Sequence, residues 1–327
     1  MASSTSSASL RARYAQAVTA LLESITSSPK LTYSNKDLTE LKNVTLTTFK
    51  AEDPEYVASK LCLFKPMPSK NLEESSFDEP KNADDVYYVN AERAFLHLTE
   101  LYEDSFKRSK SGSTKLALSC GWTHIKFENP FSELPQVFLA GYRPSDQIPF
   151  WKVRAKYEWR NKGIVRPHIM LVVRTGAIAF EGELLFCELS CIAQAIKNRL
   201  MQMEFEATSL IPVFVISLCG PGNGRLIQAN YDKSGILRVR ASPVYPLQGR
   251  DSPSWRLFLQ YLACGPYNGT DAEDADDSTE SKYVIGETQP RKNIHASSQE
   301  QKPALQSTLC CHEEDKENAP PDVHKDF

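Results

Sequence analysis

A carboxylate inside a run as apolar as LLFCELS (residues 184–190) must be neutralised, hydrogen-bonded or paired. Acids so placed cluster at functional sites, which makes Glu188 the sharpest candidate for chemistry in the chain. The same position suits a plainer role, since a negative charge just ahead of the helix expected from Cys191 is favoured by the exposed N–H groups there. His168, near the start of a strand-like run, is a second candidate, as a metal ligand or as a structural imidazole. Gln194 and Asn198 stand one helical turn apart, a spacing that brings two amides to a groove or to solvent.

The run WKVRAKYEWRNKGIVR (residues 151–166) offers different chemistry. Lys152, Arg154 and Lys156 alternate with Val153, Ala155 and Tyr157, so a regular strand puts three cations on one face. Arg160, Lys162 and Arg166 extend the charge, and Trp151, Tyr157 and Trp159 are interleaved with it. Phosphate contacts combined with aromatic stacking define a polyanion surface; a solvated strand face with its aromatics packed behind has the same pattern.

Other chemistries find little footing. Cys187 and Cys191 flank Glu188, but no paired Cys or His motif completes a four-ligand zinc site, so no metal is assigned through thiolates. The eight cysteines are scattered, several in apolar segments where a thiol acts as a small hydrophobe, and they read as reduced. GPGNG (residues 220–224) lacks the lysine and Ser/Thr of a phosphate-binding loop and reads as a hairpin turn. The hydrolase elbow, the His-Glu-x-x-His helix and the dinucleotide fingerprint do not occur.

These residues need a scaffold, and the pattern predicts an α/β (α+β) one: a mixed central sheet with flanking helices, a helical N-terminal arm and a disordered C-terminal tail. The arm, residues 1–64, carries a helix with Leu10, Tyr14, Ala17, Leu21 and Ile25 at helical spacing, a second helix from Asp37 to about Phe49, and a third started by Asp53-Pro54. Residues 65–84, rich in Pro, Ser, Glu, Asp and Lys, read as a linker, and residues 85–265 as the core. The core reads as a helix from Asp85, strands at 115–119, 136–141, 152–159, 168–174 and 183–189, a helix from Cys191, strands at 211–218, 225–231 and 236–240, and a closing helix near Ser252-Pro253. Residues 266–327, with DAEDADDSTES from Asp271 and a Gln/Ser/Lys/Glu-rich run after it, cannot bury themselves.

The 327 residues, 41% hydrophobic and 24% charged, suffice for a sizeable core. A net charge of -3 gives no global attraction for nucleic acid or an anionic membrane, so such binding must come from a local patch. No apolar run approaches the roughly 20 residues that cross a bilayer, and no signal-peptide core is evident. Cytoplasm or nucleus is expected, although Arg11 and Arg13 with no acid before Glu23 also resemble a mitochondrial transit sequence.

In layout the stretch RPHIMLVVRTGAIAFEGELLFCELSCIAQAI, from Arg166 on, resembles the PD-(D/E)XK nuclease-like core: Pro-Asp leading a strand, a connection, an apolar strand ending Glu-x-Lys, then a helix. The resemblance implies a metal-dependent nuclease using Mg²⁺, with His168 in place of the family's aspartate, Glu188 matching its glutamate and Ser190 in place of its lysine. Paired carboxylates are needed to hold Mg²⁺, so Glu183 or Glu158 would have to rebuild the site. The segments GWTHI, FLAGYRPSDQIPFW, VRAKYEW and RPHIM also resemble a set of fungal proteins with no assigned activity. In the tail, Lys316-Glu317-Asn318 resembles the KEN-box degron read by a ubiquitin ligase. The expectation is thus a non-catalytic module binding a protein or nucleic acid, with no membrane contact; a divergent nuclease and a scaffold with tail-controlled turnover are the alternatives.

Overall fold

Tyr14, Val18, Leu21, Leu22 and Ile25 recur at helical spacing and are buried on one side of the first helix, α1 (Ser7–Ser27). A computed structural model of the chain describes residues 7–41, 43–72, 87–103, 105–108, 112–125, 148–161, 163–247 and 253–267. All lie in one compact unit, Met1–Gly286. After α1 come β1 (Thr32–Ser34), α2 (Asn35–Glu40), β2 (Val44–Thr48), α3 (Pro54–Ala58) and β3 (Phe64–Lys65). Then follow α4 (Tyr87–Glu103), the hairpin strands β4 (Ser105–Arg108) and β5 (Gly112–Lys115), α5 (Leu116–Ser119) and β6 (Trp122–His124). The centre is β7 (Trp151–Asn161), β8 (Ile164–Ile178), β9 (Glu183–Leu185), α6 (Phe186–Leu200), β10 (Val213–Gly220), β11 (Asn223–Tyr231) and β12 (Leu237–Ala241). The last elements are β13 (Tyr245–Pro246), α7 (Pro253–Leu262) and β14 (Gly265–Pro266).

The main sheet runs β2-β12-β11-β10-β8-β7-β6, with β13 paired to β11. It is mixed: β2 is parallel to β12 and β10 to β8, while the other pairs are antiparallel. Alternation along the strands sends Ile169, Leu171, Val173, Val213 and Val215 into one core with α1 and α6, and Met170, Val172, Phe214 and Ile216 into a second core with α4 and α7. The result is a three-layer α/β/α arrangement, as the pattern predicts. Because β8 and β10 are parallel, α6 serves as the crossover between them.

The first helix of the N-terminal arm forms as expected, while the arm's second helix ends early. The first helix packs on α6, with Tyr14 stacked on Tyr231 at 5.1 Å, and β1 pairs with β9. The helix expected from Asp37 to Phe49 stops at Glu40, and Val44–Thr48 become an edge strand of the main sheet. Val44, Thr45, Thr47 and Thr48 are β-branched and sit better on a pleated surface than in a helix. The third helix starts as predicted, with the Asp53 side chain accepting from Glu55 N and Pro54 in the first turn. In the linker span, Phe64–Lys65 pairs with β14 and Ser69–Asn71 form a 3₁₀ turn. The strand expected at 136–141, most of the 65–84 linker and most of the 266–327 tail lie outside the described residues.

The 220–224 turn joins β10 to β11 as expected, with Gly222 at a φ of 69°. At Gly224 a Cβ would meet Leu247 Cδ1 and Phe258 Cε1 at 2.8 Å, so α7 packs directly on this glycine.

Candidate functional site

The strand expected over 183–189 ends at Leu185, and Glu188 occupies the first turn of α6. The helix is so deeply buried between α1 and the sheet that its start reads as a continuous apolar run, which periodicity cannot tell from a buried strand. Leu185 N donates to Glu188 Oε2 at 2.8 Å, closing the turn. Both carboxylate oxygens also accept from Arg225 of β11, Oε1 from Nε at 2.9 Å and Oε2 from an Nη. Arg225 Nη1 donates to Phe180 O at 3.1 Å. Burial opposes the charge on Arg225, but the Glu188 carboxylate outweighs it and the guanidinium pKa is raised. Glu188 and Arg225 are 0% and 1% exposed, so the two form a fully buried bidentate ion pair.

His168 lies in β8 with its ring edge-on to Phe64 at 5.3 Å. Burial, then the charges of Arg166 and Arg199, hold its pKa down at about 3, so the imidazole is neutral at physiological pH. Ser190 Oγ is buried in α6 without a hydrogen-bond partner, and Gln194 donates to Asn198 one turn along the same helix. A magnesium ion asks for several oxygen ligands, carboxylates foremost. The Glu188 oxygens are already held by Arg225 and Leu185 N, His168 presents no oxygen, and Ser190 brings a hydroxyl alone. This donor set does not fit Mg²⁺. Among the described residues no group of three or more His, Cys, Asp or Glu converges on a metal-sized space. Beside Glu188, the Cys187 and Cys191 thiols are pushed up first by burial, and all six described cysteines are free.

A second buried ion pair fixes the other end of α6. Arg199 Nη1 donates to Glu158 Oε2 of β7 at 3.1 Å and to Gln202 at 2.8 Å, while its Nε donates to Pro167 O at 3.3 Å. Burial lowers the Arg199 pKa and Glu158 opposes that shift. Glu158 Oε1 accepts from Arg160 Nε at 2.6 Å, so one carboxylate serves two arginines.

The basic run does not present one face, because β7 carries a bulge at Arg154: Val153 pairs with Val173 and Ala155 with Val172, so Arg154 is the extra residue. Before the bulge Lys152 lies opposite Arg174 on the α4 side; after it Lys156 lies opposite Leu171 on the α6 side. Arg154 reaches Glu92 of α4 at 3.0 Å. Lys156 is half-buried, and burial lowers its pKa. Trp151 is wholly buried in the α1/α6 core and has no face for stacking. Trp159 is half-buried, its Nε1 donating to Cys120 O at 3.1 Å, and Arg166 lies over its ring at 5.7 Å. Thus Lys152 and Arg154 lie toward the open end of the β7–β8 hairpin, Lys156 faces the other layer, and Trp159, Arg160 and Arg166 gather at its turn end. The Lys316-Glu317-Asn318 motif falls outside the described residues.

Sequence reasoning did not single out Arg225, Arg199 or Glu92. No local signal marked the arginines: Arg199 follows Lys197 and Asn198, and Arg225 follows the GPGNG turn, so neither stands in an apolar run as Glu188 does. The chain matches no protein-family model, no curated protein and no solved structure.

Proposed function

We propose that the chain is a binding module, not a catalyst, and that the turn end of the β7–β8 hairpin takes a polyanion, nucleic acid being the class it suits. The reading is carried by Arg166, whose guanidinium lies over the Trp159 ring at the exposed turn around Gly163 and Ile164. Beside it the Arg160 side chain is 47% exposed. The carboxylate of Glu158 is divided between Arg160 and Arg199, so Arg166 adds positive charge that this carboxylate does not cover. Lys162, between them in sequence, carries the same sign. An arginine held over an aromatic ring presents its N–H fork with less entropy left to lose, which suits phosphate oxygens.

Neutralising this end in full-length protein, with Arg160→Gln and Arg166→Gln together, tests the reading against labelled single- and double-stranded oligonucleotides. Retention of full affinity in that variant rules the hairpin out as the contact surface.

A metal-dependent nuclease is less well supported, because Glu188, the acid it needs, is committed to Arg225 and to the start of α6. Binding nucleic acid accords with residence in the nucleus or cytoplasm, and no helix among the described residues is long and apolar enough to cross a membrane. A Lys316-Glu317-Asn318 degron would tie the abundance of such a module to a ubiquitin ligase.

A further inference from the structure

Tyr267, the last of the described residues, stands beside the turn end of the β7–β8 hairpin. After α7 the strand β14 pairs with β3, Pro266 opposite Phe64, and Tyr267 N donates to Leu63 O at 2.9 Å. Phe64 is edge-on to His168 at 5.3 Å, and the backbone of Tyr267 adjoins the same imidazole. Arg166 precedes His168 by two residues on β8, so the two side chains share a face about 7 Å apart. Trp159, beneath the Arg166 guanidinium, and Tyr267 both pack against the core that holds α4 and α7. The chain therefore passes Tyr267 on the side of the sheet that Arg166 occupies.

The sequence just beyond Tyr267 carries the opposite charge. Asp271, Glu273, Asp274, Asp276, Asp277 and Glu280 put six acids in ten residues, with no base before Lys282. Asp271 lies four residues past Tyr267, a reach of up to about 14 Å, which exceeds the spacing from His168 to Arg166. Facing them are Arg160, with its side chain 47% exposed, and Arg166, whose Nε is buried without a hydrogen-bond partner. Glu158, the carboxylate beside them, is already divided between Arg160 and Arg199. We infer that residues 271–280 dock on the turn end of the β7–β8 hairpin as an internal polyanion, which a nucleic acid has to displace. Carboxylates fit a guanidinium fork as phosphates do, and a short tether holds them at millimolar effective concentration, so individually weak pairs suffice. The inference rests on the reading of this end as a polyanion surface and adds its regulation.

Two measurements on the full chain test it. Arg166→Lys keeps the charge and introduces an amine, which a water-soluble carbodiimide joins to a carboxylate in contact with it. The expected result is a cross-linked peptide connecting position 166 to residues 271–280 at low salt, lost in about 1 M sodium chloride, where charges are screened within about 3 Å. Absence of that cross-link at low salt, or its persistence undiminished at high salt, overturns the inference. The second measurement compares the affinity of the parent for a short oligonucleotide with that of a variant whose six acids are changed to Asn or Gln. Affinity should rise by about threefold to tenfold at low salt, the size expected when a few exposed ion pairs must be broken first. The same six changes should bring no gain in a chain that also carries Arg160→Gln and Arg166→Gln. Equal affinity of the parent and the neutralised chain overturns the inference and leaves the polyanion contact of the hairpin standing. If neither chain binds the oligonucleotide, that contact fails instead, and the cross-link alone decides whether the acidic segment docks.

Discussion

Removing the charge of Glu188 should unfold this protein more readily than almost any other single change. In Glu188→Gln the amide oxygen still accepts from Leu185 N, but the Arg225 guanidinium, 1% exposed, loses its counter-ion. Leaving a buried charge unpaired costs about 3–5 kcal/mol. For a chain of this size that lowers the thermal midpoint by roughly 6–20 °C. Glu188→Ala loses the helix-start hydrogen bond as well and should cost about 1 kcal/mol more. Equilibrium urea unfolding, followed by circular dichroism and tryptophan fluorescence together, measures both variants. The sharper observation is the double variant Glu188→Gln with Arg225→Met: taking both charges out removes the unpaired cation, so it should be more stable than the sum of the single changes by about 1–3 kcal/mol. A loss below about 1 kcal/mol in Glu188→Gln, or strict additivity in the cycle, would refute a buried ion pair as the role of this acid.

Three further outcomes follow from the same structure. His168 is neutral in the fold, with its pKa at about 3 against 6.5 for the free side chain, so the unfolded chain takes up the proton first and stability falls as the pH drops through that window. The contribution is about 1.4 kcal/mol per pH unit, and urea midpoints at pH 7, 6 and 5 should show a shallower slope in His168→Gln than in the parent; equal slopes contradict it. Gly224→Ala puts a methyl group 2.8 Å from Leu247 and Phe258 and should cost about 1–3 kcal/mol in the same urea assay. Arg199→Lys keeps the charge but loses the planar fork that reaches Glu158 and Pro167 O, so it should destabilise measurably, by about 1–3 kcal/mol, despite its conservative appearance.

How much of this was legible in the sequence depended on how local the signal was. The buried strand at Val213–Gly220, the amphipathic α1 and the Asp53-Pro54 helix start could be read from periodicity and capping chemistry. The edge strand β2 was hidden by Leu38 and Leu41, whose spacing continues into Thr45 and Thr48 as if one helix ran through. The start of α6 was misread because a helix packed on nearly every side loses the polar stripe that marks it. In the candidate site, the need for a partner at Glu188 was plain, but Arg225 lies 37 residues away and only the β10–β11 hairpin brings it there. The bulge at Arg154 has no signature in alternation, and it alone decides that Lys152 and Lys156 face opposite layers.

The most direct test of the central claim is the salt dependence of nucleic-acid binding, compared between the parent and the Arg160→Gln, Arg166→Gln variant. Binding at the hairpin end predicts that log affinity falls linearly with log salt, and that the variant binds more weakly with a slope shallower by about 1.4 to 1.8, the loss of two phosphate contacts. No binding at low salt, or an identical slope in the two proteins, would contradict a polyanion contact at Trp159, Arg160 and Arg166.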